Sequence, residues 1–162
     1  METIFHTLPP VYNRHSRVLI LGSMPSPQSR QVGFYYGHPQ NRFWRVLAAV
    51  FGSPLPTTTE EKRAFLLERK IALWDVLARC DIVGASDSSI RNPLPNDFSP
   101  IFEVARIEQV YTTGAAATKL YTKLSAFSSS HPPIYLPSPS PANCRMPFEE
   151  LAQAYQVILQ HL

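Results

Sequence analysis

The chain contains 162 residues, enough for one domain over residues 1–162, and 44% of them are hydrophobic, which is ordinary for a soluble protein. Its net charge of +3 permits a polyanionic partner but is too small to identify one. No apolar run approaches the roughly 20 residues that span a bilayer, and the first residues lack a signal-peptide pattern, so we expect a cytoplasmic protein without a membrane partner.

The two cysteines, Cys80 and Cys144, lie in unlike contexts without a CxxC spacing. Two thiols cannot supply the four thiolates that hold an iron–sulfur cluster. We therefore expect no iron–sulfur cluster, no metal ion and no other cofactor. In a cytoplasmic protein the two thiols are expected to be free.

The first strand is predicted early in the chain. Residues 1–16 predict an irregular lead-in, because Pro9 and Pro10 prevent a regular helix there. The short apolar run at 18–21 then predicts a buried parallel strand that stops at Gly22.

A long loop and a helix follow this strand. The residues after Gly22 are too rich in proline, glycine and serine for a helix, so they predict an irregular loop. From Asn41 onward, apolar residues recur at helical spacing until Gly52, which predicts an amphipathic helix.

The middle of the chain predicts one helix, one strand and a second long loop. Thr59 can cap the helix, with two acidic residues in its first turn. Residues 71–73 predict a strand that runs into a helical turn at 75–79. Residues 81–98 predict a long irregular loop, whose polar side chains, among them Asp87 and Asn92, receive no specific role.

The last third alternates helices with strands. Ser99 followed by Pro100 predicts a helix start, with the serine as the cap. Strands are predicted at 110–113 and 133–136, and helices at 115–124 and about 148–159. This alternation predicts an α/β fold, a three-layer sandwich in which a central four-stranded parallel sheet is flanked by helices.

The loop after Gly22 is the expected ligand site. In an open parallel sheet, ligands bind beyond the carboxyl ends of the strands. The loop also carries Phe34, Tyr35 and Tyr36, which are costly to leave exposed. One of these rings could stack on a flat ligand, although each could equally pack the loop itself.

Three segments resemble the motifs of the uracil-DNA glycosylase superfamily: residues 22–26 (GSMPS), 36–44 (YGHPQNRFW) and 136–143 (LPSPSPAN). The similarity points to its hypoxanthine-DNA glycosylase branch, also called DNA-deoxyinosine glycosylase, and covers nearly the whole chain. It implies a uracil-DNA glycosylase-like fold. It also implies a monofunctional, monomeric enzyme that acts in base excision repair. That enzyme hydrolyses the N-glycosidic bond of deaminated bases in DNA, above all hypoxanthine, and leaves an abasic site.

Asn41 is the expected catalytic residue. Its amide can orient a water molecule against the sugar carbon as the base departs. From the residues alone, capping explains an asparagine just before a helix better than catalysis does. The resemblance favours catalysis, because the asparagine of this motif is implicated in catalysis in the hypoxanthine branch.

Met24 and Leu136 depart from the motifs of related enzymes. Mismatch-specific members of the superfamily place an asparagine where this chain has Met24, and the uracil enzymes place an aspartate there. The uracil enzymes also carry a histidine where this chain has Leu136. Either the chemistry has moved to Asn41 or activity has been lost, and the resemblance favours the first. A uracil or G-mismatch-directed glycosylase remains the alternative within this class.

The substrate-binding residues implied by the resemblance are Gly22, Ser23, Tyr36 and His38. Backbone amides near Ser23 could bind an exocyclic oxygen or a phosphate. Tyr36 would stack on the base, and His38 could bind a phosphate or the base, although a lone histidine beside proline is often structural.

The proline-serine loop after residue 136 is the expected DNA-binding element. Ser138 and Ser140 could donate to phosphates that flank the extruded nucleotide, with Asn143 and Arg145 nearby. The residue that fills the vacated space in the duplex stays open between Ala142, Asn143 and Arg145.

Two functions from other classes remain. A non-catalytic nucleic-acid-binding module would tolerate loss of the Asn41 side chain. A small-molecule hydrolase using Ser23 or Ser26 is disfavoured, because the sequence lacks the GxSxG turn.

Overall fold

The computed structural model describes residues 1–162 and contains seven strands and six α-helices. The strands are β1 (Glu2–Phe5), β2 (Val18–Gly22), β3 (Ile71–Asp75), β4 (Leu77–Ile82), β5 (Arg91–Pro95), β6 (Gln109–Thr113) and β7 (Pro133–Leu136). The helices are α1 (Pro27–Val32), α2 (Phe43–Phe51), α3 (Thr59–Glu68), α4 (Ser99–Val104), α5 (Ala115–Leu124) and α6 (Phe148–Tyr155). Short 3₁₀ helices cover Asp87–Ser89, Pro141–Asn143 and Gln156–His161. No helix combines the length and the apolar character that crossing a bilayer requires.

The central sheet has four parallel strands in the order β3-β2-β6-β7. Every residue of β2 is buried, because the strand has a neighbour on each side and helices over both faces. The four predicted strands and their parallel arrangement are therefore confirmed. The carboxyl ends of β2, β3 and β6 meet along one edge.

Helices cover both faces of this sheet, which confirms the three-layer sandwich. Side chains alternate along β2, so Val18 and Ile20 pack with residues of α2, α3 and α6. Leu19 and Leu21 face the other way and pack with residues of α4, α5 and β4. The core is thus divided into two apolar clusters, one on each side of the sheet.

A second sheet of three antiparallel strands, in the order β1-β4-β5, differs from the sequence-based prediction. The helical turn predicted at 75–79 is wrong, because β3 extends to Asp75 and β4 begins at Leu77, where it pairs with β1 and β5. The lead-in at 1–16 contains β1, and the loop at 81–98 contains β5. Prolines at 93 and 95 fit β5 because it is an edge strand.

The loop predicted after Gly22 contains a six-residue helix, α1. Ser26 caps this helix by accepting a hydrogen bond from the Ser29 backbone, and Pro27 occupies its first position. Gly33 ends it in the left-handed conformation, with φ at 85°. The serine-proline pair was therefore a start signal, and the prediction of an irregular loop was wrong there.

Two predicted caps lie one residue from their expected places. Thr58, not Thr59, caps α3 and forms a capping box with Glu61. Ser99 is already the first residue of α4, and its backbone donates to the Asp97 carboxylate. The predicted helix at 148–159 divides into α6 and the following 3₁₀ helix.

Candidate functional site

A cavity of about 320 Å³ opens at the carboxyl ends of β2, β3 and β6, within the size range of ligand sites. Its wall comes from those strand ends, from the loop between β2 and α2, from the segment around Asp87, and from the proline-serine loop after β7. The predicted site residues in its lining are Gly22, Ser23, Tyr36, His38, Asn41, Ser138 and Ser140. The two predicted loops therefore converge on one space, as the position of the strand ends requires.

Three polar groups crowd over Gly22 at the floor of the cavity. A Cβ atom at this position would lie 2.6 Å from Oδ1 of Asp75, 3.2 Å from the hydroxyl of Tyr36 and 3.6 Å from Oγ1 of Thr113. No side chain fits there without displacing Asp75. The glycine that ends β2 thus lets a carboxyl group, a phenol and a hydroxyl approach one another.

Asp75 is a buried carboxyl group that sequence reasoning missed. Its Oδ2 lies 2.8 Å from Nε2 of His6, and the two side chains are only 6% and 1% exposed, respectively. Its Oδ1 has no hydrogen-bond partner in the protein. Every side-chain oxygen or nitrogen that is sealed from solvent does have a partner, so Oδ1 is not sealed. Oδ1 must therefore be reached from the cavity, which Asp75 lines.

Tyr36 forms part of the cavity wall with its backbone in the left-handed region, at a φ of 54°. Its ring stacks on Phe43, with 3.9 Å between centroids and 13° between planes. Its hydroxyl is 3.1 Å from Oγ1 of Thr113. Burial, reinforced by the negative charge of Asp75, raises the pKa of the Tyr36 phenol, so the group stays neutral. Because Phe43 covers one face, only the other can stack on a ligand.

The Asn41 side chain is bonded to the start of α2 and also lines the cavity, although Arg42, not Asn41, is the capping residue of that helix. Its Oδ1 accepts a hydrogen bond of 2.9 Å from the Phe43 backbone, which satisfies a donor at the start of α2. Asn41 also lines the cavity, and its Nδ2 has no partner within the protein. The carboxamide is therefore held by the helix start, with its Nδ2 and one lone pair of Oδ1 still available.

Ser23 and Asp87 join the first loop to the segment that follows β4. The Ser23 hydroxyl donates to Oδ1 of Asp87 at 2.7 Å, and both residues line the cavity. Burial of the carboxyl, with the nearby charge of Asp75 adding to it, raises the pKa of Asp87, while the Ser23 hydrogen bond opposes the rise. Sequence reasoning assigned no role to Asp87, because in the sequence it resembles an ordinary turn residue.

Two backbone donors of the first loop belong to residues that line the same cavity. The backbone amides of Ser23 and Met24 donate to no group in the protein. Met24 packs against the second apolar cluster beside the cavity. The His38 ring accepts a hydrogen bond of 3.0 Å from the Gln40 backbone through Nδ1, which leaves Nε2 for other partners.

The proline-serine loop is braced internally. The hydroxyls of Ser138 and Ser140 accept hydrogen bonds of 3.1 Å from backbone amides two residues further on. Asn143 donates to the carbonyl of Ser138 at 2.9 Å and lies outside the cavity lining, as does the exposed Arg145. Two of the four predicted DNA-binding residues are thus brought to the cavity, and Asn143 instead holds the loop in shape.

Nothing in the structure resembles a metal centre. No group of three or more histidine, cysteine, aspartate or glutamate side chains is placed to hold a metal ion. Cys80 is buried, Cys144 is exposed, and neither forms a disulfide.

The four-stranded parallel sandwich, with a cavity between the two motif loops, is the arrangement expected of a uracil-DNA glycosylase-like protein, and sequence comparison agrees. The sequence model of the uracil DNA glycosylase superfamily matches residues 9–162. The chain therefore belongs to the uracil DNA glycosylase superfamily, and the family predicted from its motifs is confirmed.

Two archaeal proteins named hypoxanthine DNA glycosylase are similar to this chain. The protein from Methanosarcina acetivorans is 34% identical over 139 residues, which cover 85% of this chain and 87% of that protein. The protein from Methanosarcina barkeri is 39% identical over 98 residues. That alignment spans 60% of this chain and only 62% of the M. barkeri protein.

A solved structure has the same fold over nearly its whole length. A solution NMR structure from Methanosarcina acetivorans, assigned as a candidate uracil DNA glycosylase, superposes with a TM-score of 0.80 at 29% identity. The superposition covers 98% of this chain and 99% of that one.

Proposed function

We propose that this protein is a monofunctional DNA glycosylase that hydrolyses the N-glycosidic bond of deaminated bases, hypoxanthine foremost, and leaves an abasic site. We further propose that it acts as a monomer in the cytoplasm without a cofactor. The observation that carries the proposal is the placement of Asn41 in the wall of a cavity whose floor carries Asp75 and Tyr36. The names of the two similar archaeal proteins support the choice of hypoxanthine.

The cavity can receive a nucleotide that has left the DNA stack. Enzymes that act on a base extrude it into a pocket, where aromatic faces and hydrogen bonds recognise it. The free face of Tyr36 is the surface on which the base would stack. The unpaired backbone amides of Ser23 and Met24 are donors for an exocyclic oxygen such as O6 of hypoxanthine.

Asn41 would position the attacking water. As the glycosidic bond lengthens, the sugar becomes an oxocarbenium ion, so water needs orientation more than a strong base. The Phe43 amide holds Oδ1 of Asn41 in place, and the second lone pair of that oxygen can accept a hydrogen bond from the water. This hydrogen bond to the first residue of α2 would therefore orient the carboxamide that we assign to catalysis.

The proposed reaction is hydrolysis rather than strand cleavage through a covalent amine intermediate. A lyase needs a lysine to attack the sugar. No lysine lines the cavity.

The proline-serine loop, with Ser138 and Ser140 at the cavity and Arg145 outside it, would contact the DNA backbone on either side of the extruded nucleotide.

The substrate is tested with duplexes that contain deoxyinosine, deoxyuridine or a G·T mismatch, under single-turnover conditions. We expect release of hypoxanthine, followed by strand breakage only after alkali. Release of uracil alone would refute the choice of substrate. Binding of these duplexes without release of any base would instead identify a nucleic-acid-binding module. Gel filtration tests the proposed monomer.

A further inference from the structure

We propose that Asp75, positioned by His6, is the residue that reads the ring N–H of the extruded base. This inference rests on the proposed glycosylase function and names how its site selects a deaminated purine. Neither residue carries a role in the reaction described so far.

Asp75 has the burial and the hydrogen bonding expected of a residue that binds a ligand. Only 6% of its side chain is exposed, and one of its oxygens is hydrogen-bonded to His6. Removing a carboxylate from water is costly unless both of its oxygens find partners. The free Oδ1 sits over Gly22 at the floor of the cavity, close to the hydroxyl of Tyr36. A ligand donor would supply the missing partner.

The chemistry of this acceptor distinguishes hypoxanthine from adenine. Hypoxanthine carries a hydrogen on N1, next to the carbonyl at C6, and a carboxylate accepts this hydrogen in a charge-assisted bond. Adenine presents a lone pair at N1, which the carboxylate repels. Uracil and guanine share the ring N–H, so their exclusion depends on the shape and the other groups of the cavity.

His6 fixes the orientation of this carboxyl group. The imidazole is 1% exposed and lies between two aromatic rings, with centroid distances of 6.1 Å to Tyr35 and 6.0 Å to Trp74. Its Nε2 contacts Oδ2 of Asp75, which turns Oδ1 toward the cavity. His6 directly follows β1, so the small second sheet contributes a positioning residue to the site.

The test measures binding, so that it does not depend on catalysis. Two duplexes carry hypoxanthine or 1-methylhypoxanthine on 2′-fluoroarabinose, whose electronegative fluorine opposes oxocarbenium formation. The measured quantity is the ratio of their dissociation constants. For the wild-type protein we expect hypoxanthine to bind about 10- to 100-fold more tightly, the range for a hydrogen bond to a charged group.

Asp75→Ala removes the acceptor and leaves room for the methyl group. We expect the ratio to fall to near one, whereas Glu103→Ala, which removes an exposed carboxylate on α4, keeps the wild-type ratio. A wild-type ratio near one, or an unchanged ratio in Asp75→Ala, would overturn the inference. If Asp75→Ala does not fold, the double variant His6→Leu, Asp75→Ala decides, because it leaves no unpaired imidazole in the core.

His6 is tested by two variants that separate positioning from folding. His6→Gln keeps an N–H that can reach the carboxylate, so we expect it to retain most of the discrimination. His6→Ala removes that donor and should lower the ratio severalfold. An unchanged ratio in a folded His6→Ala protein would refute the positioning role. Failure of the wild-type protein to release hypoxanthine at all would instead refute the proposed function.

Discussion

The guanidinium group of Arg42 donates a hydrogen bond of 2.9 Å to the backbone carbonyl of Asn143. The same group donates to the carbonyl of Met146 at 2.7 Å, and the Arg42 backbone donates to the carbonyl of Pro139 at 3.0 Å. The residue after Asn41 therefore fastens the proline-serine loop to the start of α2. The two motif loops, far apart in sequence, form one rigid wall of the cavity.

Arg42→Ala should weaken both DNA binding and base release. The change leaves two carbonyls of the loop without their charged donor, and a misplaced loop no longer holds the nucleotide in register. We expect excision from deoxyinosine DNA to fall about 10- to 100-fold, with most of the loss in apparent affinity. The control is Arg45→Ala, which removes the same charge from an exposed position of α2. Equal losses in the two variants would mean that charge alone is responsible.

Asn41→Ala should strongly slow base release while DNA binding is kept. Misplacing the attacking water should cost about 100-fold or more in rate. The variant also loses the hydrogen bond to the Phe43 amide, for which we expect about 1 kcal/mol of stability. Excision is measured in single turnover and binding with the uncleavable fluoroarabino duplex. Wild-type excision by this variant would remove Asn41 from the mechanism.

Two threonines at the start of α3 serve as controls for the stability that Asn41→Ala should lose. Thr58→Ala breaks the capping box with Glu61, far from the cavity lining, and should cost about 1 kcal/mol in the free energy of unfolding. Excision should be unchanged. Thr59→Ala removes a similar hydroxyl that caps nothing and should be close to neutral, as chemical denaturation can measure. A larger loss in Thr59→Ala than in Thr58→Ala would contradict the observed cap.

The central sheet could be predicted because each of its strands is a short apolar run with a local signal at its end, such as Gly22 after β2. The second sheet could not be predicted in this way. β1 and β4 pair across most of the chain, with Glu2 opposite Ile82, and neither strand is apolar enough to stand out. Such pairing depends on tertiary contacts that local patterns do not encode.

The residues of the candidate site differ in the same way in how far the sequence predicts them. Gly22, Ser23, Tyr36 and Asn41 could be found because they belong to contiguous motifs. His6 and Asp75 become partners only when β1 joins β4 and β3 joins β2, so their pairing has no sequence signature. Asp75 could have been suspected as a lone acid at the end of an apolar run, had the strand been extended to it.

Gly22→Ala should reduce excision strongly, because its new methyl group displaces Asp75. The new methyl group would lie 2.6 Å from Oδ1 of Asp75, so that carboxyl group must move. We expect excision to fall by at least about 100-fold if Asp75 reads the base, together with loss of stability. The control is Gly52→Ala, where φ is 60° but no atom lies within 4 Å of the new methyl group. It should cost about 1 kcal/mol of stability and leave excision unchanged.

Asp87 should make DNA binding depend on pH. Burial raises the pKa of its carboxyl group, so the group gains a proton at a higher pH than an ordinary aspartate does. Protonation removes a negative charge from the cavity wall that receives the DNA. Affinity should therefore rise as pH falls through the raised pKa, and Asp87→Asn should bind more tightly at neutral pH.

The comparison between wild type and Asp87→Asn isolates the contribution of this carboxyl group from every other effect of pH on DNA binding. Fluorescence anisotropy with the uncleavable duplex, measured from neutral pH down to about pH 4, near the ordinary pKa of an aspartate, should show a steeper dependence of DNA affinity on pH for wild type. The same dependence of DNA affinity on pH in both proteins would exclude Asp87 as the source of the pH effect. Folding stability follows the same sign: because the folded pKa lies above the unfolded one, the folded state binds the proton first. Lowering the pH through that window therefore stabilises wild type relative to Asp87→Asn, which denaturation at each pH can measure.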